Sequence, residues 1–241
     1  MSRILIIGAG LSGVTLAERF ASHGDAVLVI DQRNHLAGNC YDHLDKATGI
    51  RVSNYGAHLF HTNSQEVWNY LQKFTKWQPY EHQVLVKVKN QLLNLPINLN
   101  TINQFFHLKL KNAAEMRSFL AKKTKKIKHV SNSADYVLSQ IGQELYEAIF
   151  QNYSQKQWAL DPSELDAAVI KRNPLRFDTD NRYFTDRYQA LPINGFEGLV
   201  SKMLSHPKIE LRLKTDFFAF RSQNDLSKFD QVFYTGAIDQ Y

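Results

Sequence analysis

The sequence predicts an α/β chain in which a parallel-sheet domain is interrupted by a helical insertion domain and an antiparallel sheet domain. Three observations lead there. Residues 3–31 read as strand, glycine turn, helix, strand and acid. Residues 84–95 alternate as a hairpin, and residues 100–157 carry helical apolar spacing with cap residues at its breaks.

Ile4-Leu5-Ile6-Ile7 is a continuous apolar run, the pattern of a strand buried on both faces. It is too short for a signal-peptide core and runs into Gly8-Ala9-Gly10-Leu11-Ser12-Gly13 rather than a cleavage site. Val14, Leu16, Ala17 and Phe20 then mark a helix, ended by His23-Gly24-Asp25. Ala26–Ile30 is a second buried strand, closed by Asp31. In this context Gly8 makes a tight turn and Gly10 lets the backbone approach a pyrophosphate. Gly13 lets helix and strand pack closely, and the helix start at Leu11 and Ser12 offers N–H groups and a positive pole. Asp31 is placed to accept from ribose hydroxyls. These residues read as a dinucleotide site and leave NAD(P) and FAD both open.

Further along, His58 and His61 in Asn54–Thr62 are two histidines three apart with no third ligand near them, a poor metal site, so no metal is expected. Gly56-Ala57 suggests close approach to something flat. Val67, Tyr70, Leu71 and Phe74 have helical spacing. Val84, Val86 and Val88, the turn Lys89-Asn90-Gln91 and Leu92–Leu95 make the hairpin. Helical pieces follow at about 101–108, 112–123 and 134–151, with Asn112 and Ser133 as N-caps. From Trp158 to Tyr188 the chain is dense in Arg, Asp and Tyr. Arg172 suits a phosphate as a bidentate donor, and Tyr183 is a neutral donor on an aromatic body. Asn194-Gly195-Phe196 turns into a helix over 197–204. Short strands are expected at 209–213 and 231–236.

Composition narrows the class. The 241 residues are 44% hydrophobic, with 15 Phe, 11 Tyr and 3 Trp, which excludes a disordered chain. No apolar run approaches a membrane span. A lone cysteine, Cys40, excludes a disulfide framework and fits a reducing compartment. The net charge of +6 is local: residues 109–129 hold eight Lys or Arg and one acid. No stacking aromatics interleave with that run, so it reads as a solvated helix end, with cations favoured at a helix C-terminus, and not as a nucleic-acid surface.

Two resemblances extend this reading. The Arg33 that follows Asp31, and the Ala37-Gly38-Asn39 beyond it, resemble the amine-oxidase-like flavoproteins. That likeness implies FAD, with Arg33 near its adenosine half and Gly38-Asn39 passing its pyrophosphate. More specific are Tyr55-Gly56-Ala57-His58-Leu59-Phe60-His61-Thr62, Asn94-Leu95-Pro96-Ile97-Asn98, Tyr153-Ser154-Gln155-Lys156-Gln157-Trp158, Lys171-Arg172-Asn173-Pro174-Leu175-Arg176-Phe177, Asp186-Arg187-Tyr188-Gln189 and Tyr234-Thr235-Gly236. Together with the opening motif they resemble the UDP-galactopyranose mutase family, in family order over the whole length.

That resemblance implies an isomerase of galactofuranose and cell-wall polysaccharide biosynthesis. It would interconvert UDP-galactopyranose and UDP-galactofuranose by covalent catalysis through N5 of reduced FAD. It implies a Rossmann-like FAD-binding domain at 1–78 and 190–241, a helical domain at 98–158 and a sheet domain at 79–97 and 159–189. The implied cofactor residues are Gly8, Gly10, Leu11, Ser12, Gly13, Asp31, Arg33, Gly38, Asn39, His58, Phe217 and Gly236. Arg172 would clamp the diphosphate, and His61 would lie at the reactive face of the flavin. Phe150 would lie at the uracil, Tyr153 and Tyr183 at the phosphates, and Trp158 beside sugar and nucleotide. A cytoplasmic homodimer without nucleic-acid or membrane partners is implied as well.

Three departures qualify the likeness, of which Thr235-Gly236-Ala237 in place of a common Thr-Gly-Pro is minor. Ala159 follows Trp158 where the family commonly has Gly. Family members also continue past Tyr241, so the resemblance implies incomplete flavin and substrate sites in a chain that ends there. The alternatives are an amine-oxidase-like oxidoreductase and an inactive mutase fragment.

Overall fold

The computed structural model describes residues 1–171 and 175–241. Arg172 therefore lies outside the described residues. The chain divides into two compact units, one of Met1–Tyr80 with Asp186–Tyr241 and one of Glu81–Thr185.

The first unit opens with β1 (Arg3–Ile7), α1 (Leu11–Ser22) and β2 (Ala26–Ile30). It continues through the short strands β3 (Asp42–Leu44), β4 (Arg51–Ser53) and β5 (Phe60–Thr62), then α2 (Gln65–Leu71) and β6 (Trp77–Pro79). The second unit holds the hairpin β7 (Val84–Val88) and β8 (Gln91–Leu95), then α3 (Leu99–Phe106), α4 (Ala113–Lys123), α5 (Ser133–Ile141) and one turn of α6 (Gln143–Leu145). A π-helical stretch at Tyr146–Gln151 leads into α7 (Asn152–Trp158), and α8 (Ala167–Lys171) follows. The chain returns to the first unit with β9 (Tyr188–Pro192), α9 (Gly195–Leu204), β10 (Ile209–Arg212), α10 (Phe217–Gln223) and β11 (Gln231–Tyr234).

The main sheet runs β10-β2-β1-β11, all parallel. Leu5 faces Leu28 on one side and Val232 on the other. Ile4, Ile6, Val27 and Val29 pack against Val14, Ala17 and Ala21 of α1 and Leu199, Val200 and Met203 of α9. Leu5, Ile7, Leu28 and Ile30 point the other way, against Phe217 and Phe220 of α10. Both faces of β1 and β2 are thus covered, which is why their sequences are continuously apolar. A second sheet of this unit, β5-β9-β6, is antiparallel.

Asp42 on β3 starts α9 from a distance. Its carboxylate accepts from the backbone N–H of Phe196 (2.8 Å) and of Glu197 (3.3 Å), and from Arg51 Nη1 (3.1 Å). It satisfies donors that Asn194, the local cap, leaves open. Gly195 turns there with φ 73°, and a Cβ on it would collide with the Asp42 carboxylate.

In the second unit the hairpin shares one core with the helices. Leu93, Leu99, Ile102, Met116, Leu120, Val137, Leu145 and Phe150 are among its buried members, with Val86 and Val88 packed against them. The sheet expected from 79–97 and 159–189 takes a different form. Among the described residues β7 and β8 pair only with each other, and β9 pairs with β5 and β6 in the first unit. The helical core already covers the hairpin's apolar side. Asn112 caps α4, accepting from Glu115 N–H at 3.0 Å. For α5 the cap is Asn132, accepting from Asp135 N–H at 2.8 Å, and Ser133 is instead its first residue, with its hydroxyl donating to the Asp166 carbonyl. The basic run is a helix end and loop. Lys123 pairs with Glu144 at 2.6 Å, Lys125 donates to Gln143 Oε1 at 3.0 Å, and Lys122, Lys126 and Lys128 are exposed.

Candidate functional site

At the C-terminal ends of β1, β2, β10 and β11 the first unit opens a cleft of about 970 Å³. In an open parallel sheet this is the edge where ligands bind. Of the predicted cofactor residues, Gly8, Gly10, Leu11, Ser12, Asp31, Arg33, Gly38, Asn39, Phe217 and Gly236 line it.

The glycine turn is held from several sides. Gly8 has φ 111°, and its N–H donates to the Ile30 carbonyl at 2.8 Å. A Cβ on Gly8 would strike Thr235 Oγ1, and one on Gly13 would strike the Gly8 carbonyl oxygen. Gly13 therefore does not line the cleft. It lets α1 press on the turn, as its spacing predicts. Across the cleft floor, a Cβ on Gly38 would stand 3.1 Å from Gly10 Cα. Two strips of bare backbone thus face one another. Ala37, at φ 66°, tethers them by donating from its N–H to the Ala9 carbonyl at 3.0 Å. The cap residue of α1, Gly10, has no side chain to accept from the first turn, and that turn carries no acid. Its N–H groups are available to an anionic group.

Asp31 is 8% exposed. Its Oδ2 accepts from Ala9 N–H at 2.7 Å and its Oδ1 from Arg33 N–H at 2.8 Å. The carboxylate therefore shapes the turn as well as lining the cleft. With about four acceptor positions it retains capacity for ligand hydroxyls. The residues present fit a dinucleotide: side-chain-free backbone for a pyrophosphate, an uncapped helix start and an acid at the end of β2.

Sequence reasoning missed Thr215, Phe218, Tyr234, Thr235 and Gln240 of this lining. They come from the end of β11 and from the segments that follow β10 and β11. The available signal was that strands of one parallel sheet bring their C-terminal ends to one edge. Cys40 also lines the cleft, and burial together with the Asp42 charge pushes its thiol pKa up, keeping it protonated.

His58 and His61 lie outside this lining. His58 Nδ1 contacts the Gly56 carbonyl at 3.0 Å. His61 sits on β5 opposite Gln189, with Nδ1 2.6 Å from Asp186 Oδ2. No group of three or more potential metal ligands occurs among the described residues. No helix among them is long and apolar enough to cross a membrane.

The predicted substrate residues that are described all lie in the second unit. Phe150, on the π-helical stretch, is 9% exposed and belongs to the core. Tyr153 and Trp158, on α7, are 61% and 44% exposed. Tyr183 is half-buried and held by its backbone. Its carbonyl accepts from Arg176 Nη2 at 2.7 Å, and its N–H donates to the His82 carbonyl at 2.6 Å. Arg182 beside it donates to both Asp180 oxygens, which lowers the Asp180 pKa.

Residues 6–74 match the NAD(P)-binding Rossmann-like domain. Residues 148–241 match UDP-galactopyranose mutase. That stretch is therefore similar to the UDP-galactopyranose mutase family. The whole chain is 37% identical to dTDP-fucopyranose mutase of Escherichia coli, covering 100% of this chain and 64% of that one. It is 38% identical to a probable UDP-galactopyranose mutase of Klebsiella pneumoniae, covering 99% and 61%. The chain thus spans under two-thirds of the length of these mutases. In fold it is similar to a crystal structure of reduced UDP-galactopyranose mutase, with a TM-score of 0.66 at 17% identity, covering 88% of this chain and 49% of that one.

Proposed function

We propose that this chain supplies the FAD-binding and substrate residues of a mutase that interconverts UDP-galactopyranose and UDP-galactofuranose. One observation carries the reading. The stretch that matches the mutase family, 148–241, is the one that brings Phe217 and Gly236 to the dinucleotide cleft and that contains Trp158, Arg172 and Tyr183.

In this reading the Gly8, Gly10 and Gly38 backbones and the α1 N-terminus receive the pyrophosphate of FAD. Asp31 accepts from its ribose. When bound and reduced, FAD supplies a nucleophilic nitrogen for the anomeric carbon. The chain's own part is orientation and charge. Arg172 holds the diphosphate, whose negative charge grows as it leaves, and a bidentate guanidinium matches it. Tyr153 and Tyr183 donate to phosphate oxygens without adding charge. Trp158 stacks beside sugar and nucleotide, Phe150 borders the base, and His61 lies by the cofactor ring.

The test is an anaerobic, dithionite-reduced assay with UDP-galactofuranose. It is run on the 241-residue chain and on any longer reading frame that contains it. The expected outcome is conversion to the pyranose with no electron acceptor consumed. Failure of both preparations while they hold reduced flavin would overturn the reading, and acceptor-dependent turnover would replace it with an oxidoreductase. Arg172→Ala is expected to lower kcat about 10²–10³-fold with flavin content unchanged. The similarity to dTDP-fucopyranose mutase favours one second reading, in which the sugar carrier is dTDP and the sugar fucose. Parallel assays with dTDP-fucofuranose separate the two.

A further inference from the structure

We infer that Asp186 is a positioning residue for His61: it fixes the imidazole with its proton on Nδ1, so that Nε2 is the ring's acceptor. The use of this device rests on the mutase reading, but its geometry does not. His61 lies in the middle of β5, paired with Gln189 of β9. Its Nδ1 stands 2.6 Å from Asp186 Oδ2. The other carboxylate oxygen accepts from Asn63 Nδ2 at 2.5 Å, and Asn63 Oδ1 accepts from the Arg187 backbone N–H at 2.9 Å. Gln189 Nε2 donates to the Asp186 carbonyl at 2.9 Å. The ring is therefore held by a carboxylate that is itself held, through an amide, by backbone.

An ionised carboxylate only accepts. The ring nitrogen facing it must carry a proton, so a neutral His61 has its lone pair on Nε2. A free histidine side chain favours the opposite tautomer, so the arrangement inverts the default. The contact is short, and although the His61 ring is exposed, at 37%, the Asp186 carboxylate is half-buried, at 23%, and anchored by Asn63. This distinguishes it from a loose surface ion pair between long flexible chains. On the mutase reading, the ring beside the cofactor is thus oriented by the chain's own carboxylate. In the oriented histidines of acyl-transfer enzymes a carboxylate sets the tautomer in the same way.

The experiment is ¹⁵N NMR of the histidine-labelled full chain at alkaline pH, where imidazoles are neutral, with His61 assigned by His61→Gln. The expected wild-type spectrum has a protonated, pyrrole-type Nδ1 and a pyridine-type Nε2 for His61. Asp186→Asn presents an NH2 to one of two donors, so the pattern is expected to move to the Nε2–H form. Asn63→Ala keeps the carboxylate and is expected to keep Nδ1–H. A wild-type Nε2–H form, or an Nδ1–H form unchanged in Asp186→Asn, would overturn the inference. If Asp186→Asn does not fold, the wild-type tautomer alone decides. An Nδ1–H tautomer in a protein that binds reduced flavin but interconverts no sugar would uphold the positioning role and remove the mutase reading.

Discussion

Asp31 and Gly13 show how single residues serve both shape and chemistry. Removing the Asp31 carboxylate leaves the N–H groups of Ala9 and Arg33 without their acceptor. Each orphaned buried donor costs about 1–3 kcal/mol. Asp31→Ala is therefore expected to lower both flavin retention and the urea midpoint. Loss of flavin at unchanged stability would show that the carboxylate serves the ligand alone. Gly13→Ala drives a methyl into the Gly8 carbonyl oxygen, and such overpacking costs about 1–3 kcal/mol. Its measured midpoint should fall accordingly, with flavin released early in a thermal scan. The glycine roles were legible because strand, turn and helix are contiguous in sequence. The contribution of Thr235 was not, because it reaches Gly8 from the far end of the chain.

Among the elements, legibility followed length and burial. β1 and β2 are buried on both faces and read directly from composition. β3, β4, β5 and β6 are three residues each, too short to show a period, and β6 ends in Pro79. The π-helical stretch hides inside an ordinary helical pattern, because its apolar residues Tyr146, Ile149 and Phe150 keep near-helical spacing. At the end of α7 the sequence did carry a signal. Ala159 stands where the resembling family commonly has Gly, and it adopts φ 54°, ψ 23°. An L-residue pays for this left-handed cap, whereas glycine does not. Ala159→Gly is expected to gain about 0.5–1 kcal/mol after its own chain-entropy cost, read from urea unfolding. A loss of stability would show that the methyl is held by contacts that outweigh the strain.

Over the whole molecule, scattered surface carboxylates add a small acid-sensitive contribution to stability. Local hydrogen bonds from Thr48, Ser163 and Ser227 lower the pKa values of Asp45, Asp161 and Asp225, and Arg182 lowers that of Asp180. A carboxyl lowered in the folded state stabilises it fully above its unfolded value, about 3.9, and that help is lost as pH falls through the folded value. Stability from these groups should be level above about pH 5 and decline below about pH 4, as read by thermal unfolding at stepped pH. A decline beginning near neutrality would require another titrating group. The positive excess stays local at this scale too, because residues 109–129, α4 with the segments on either side of it in the second unit, hold eight Lys or Arg and one acid.

The pairing of β1 with both β2 and β11 also has a meaning in time. Leu5 meets Leu28 soon after both are made, but it meets Val232 only after the intervening second unit has been made. Meanwhile residues 81–185 are contiguous and hold a core of their own. As the chain emerges from its N-terminus, β1 and β2 must wait with a bare strand edge while that later segment is made and closes around its own core. The unit begun first closes its sheet only after the second has been made.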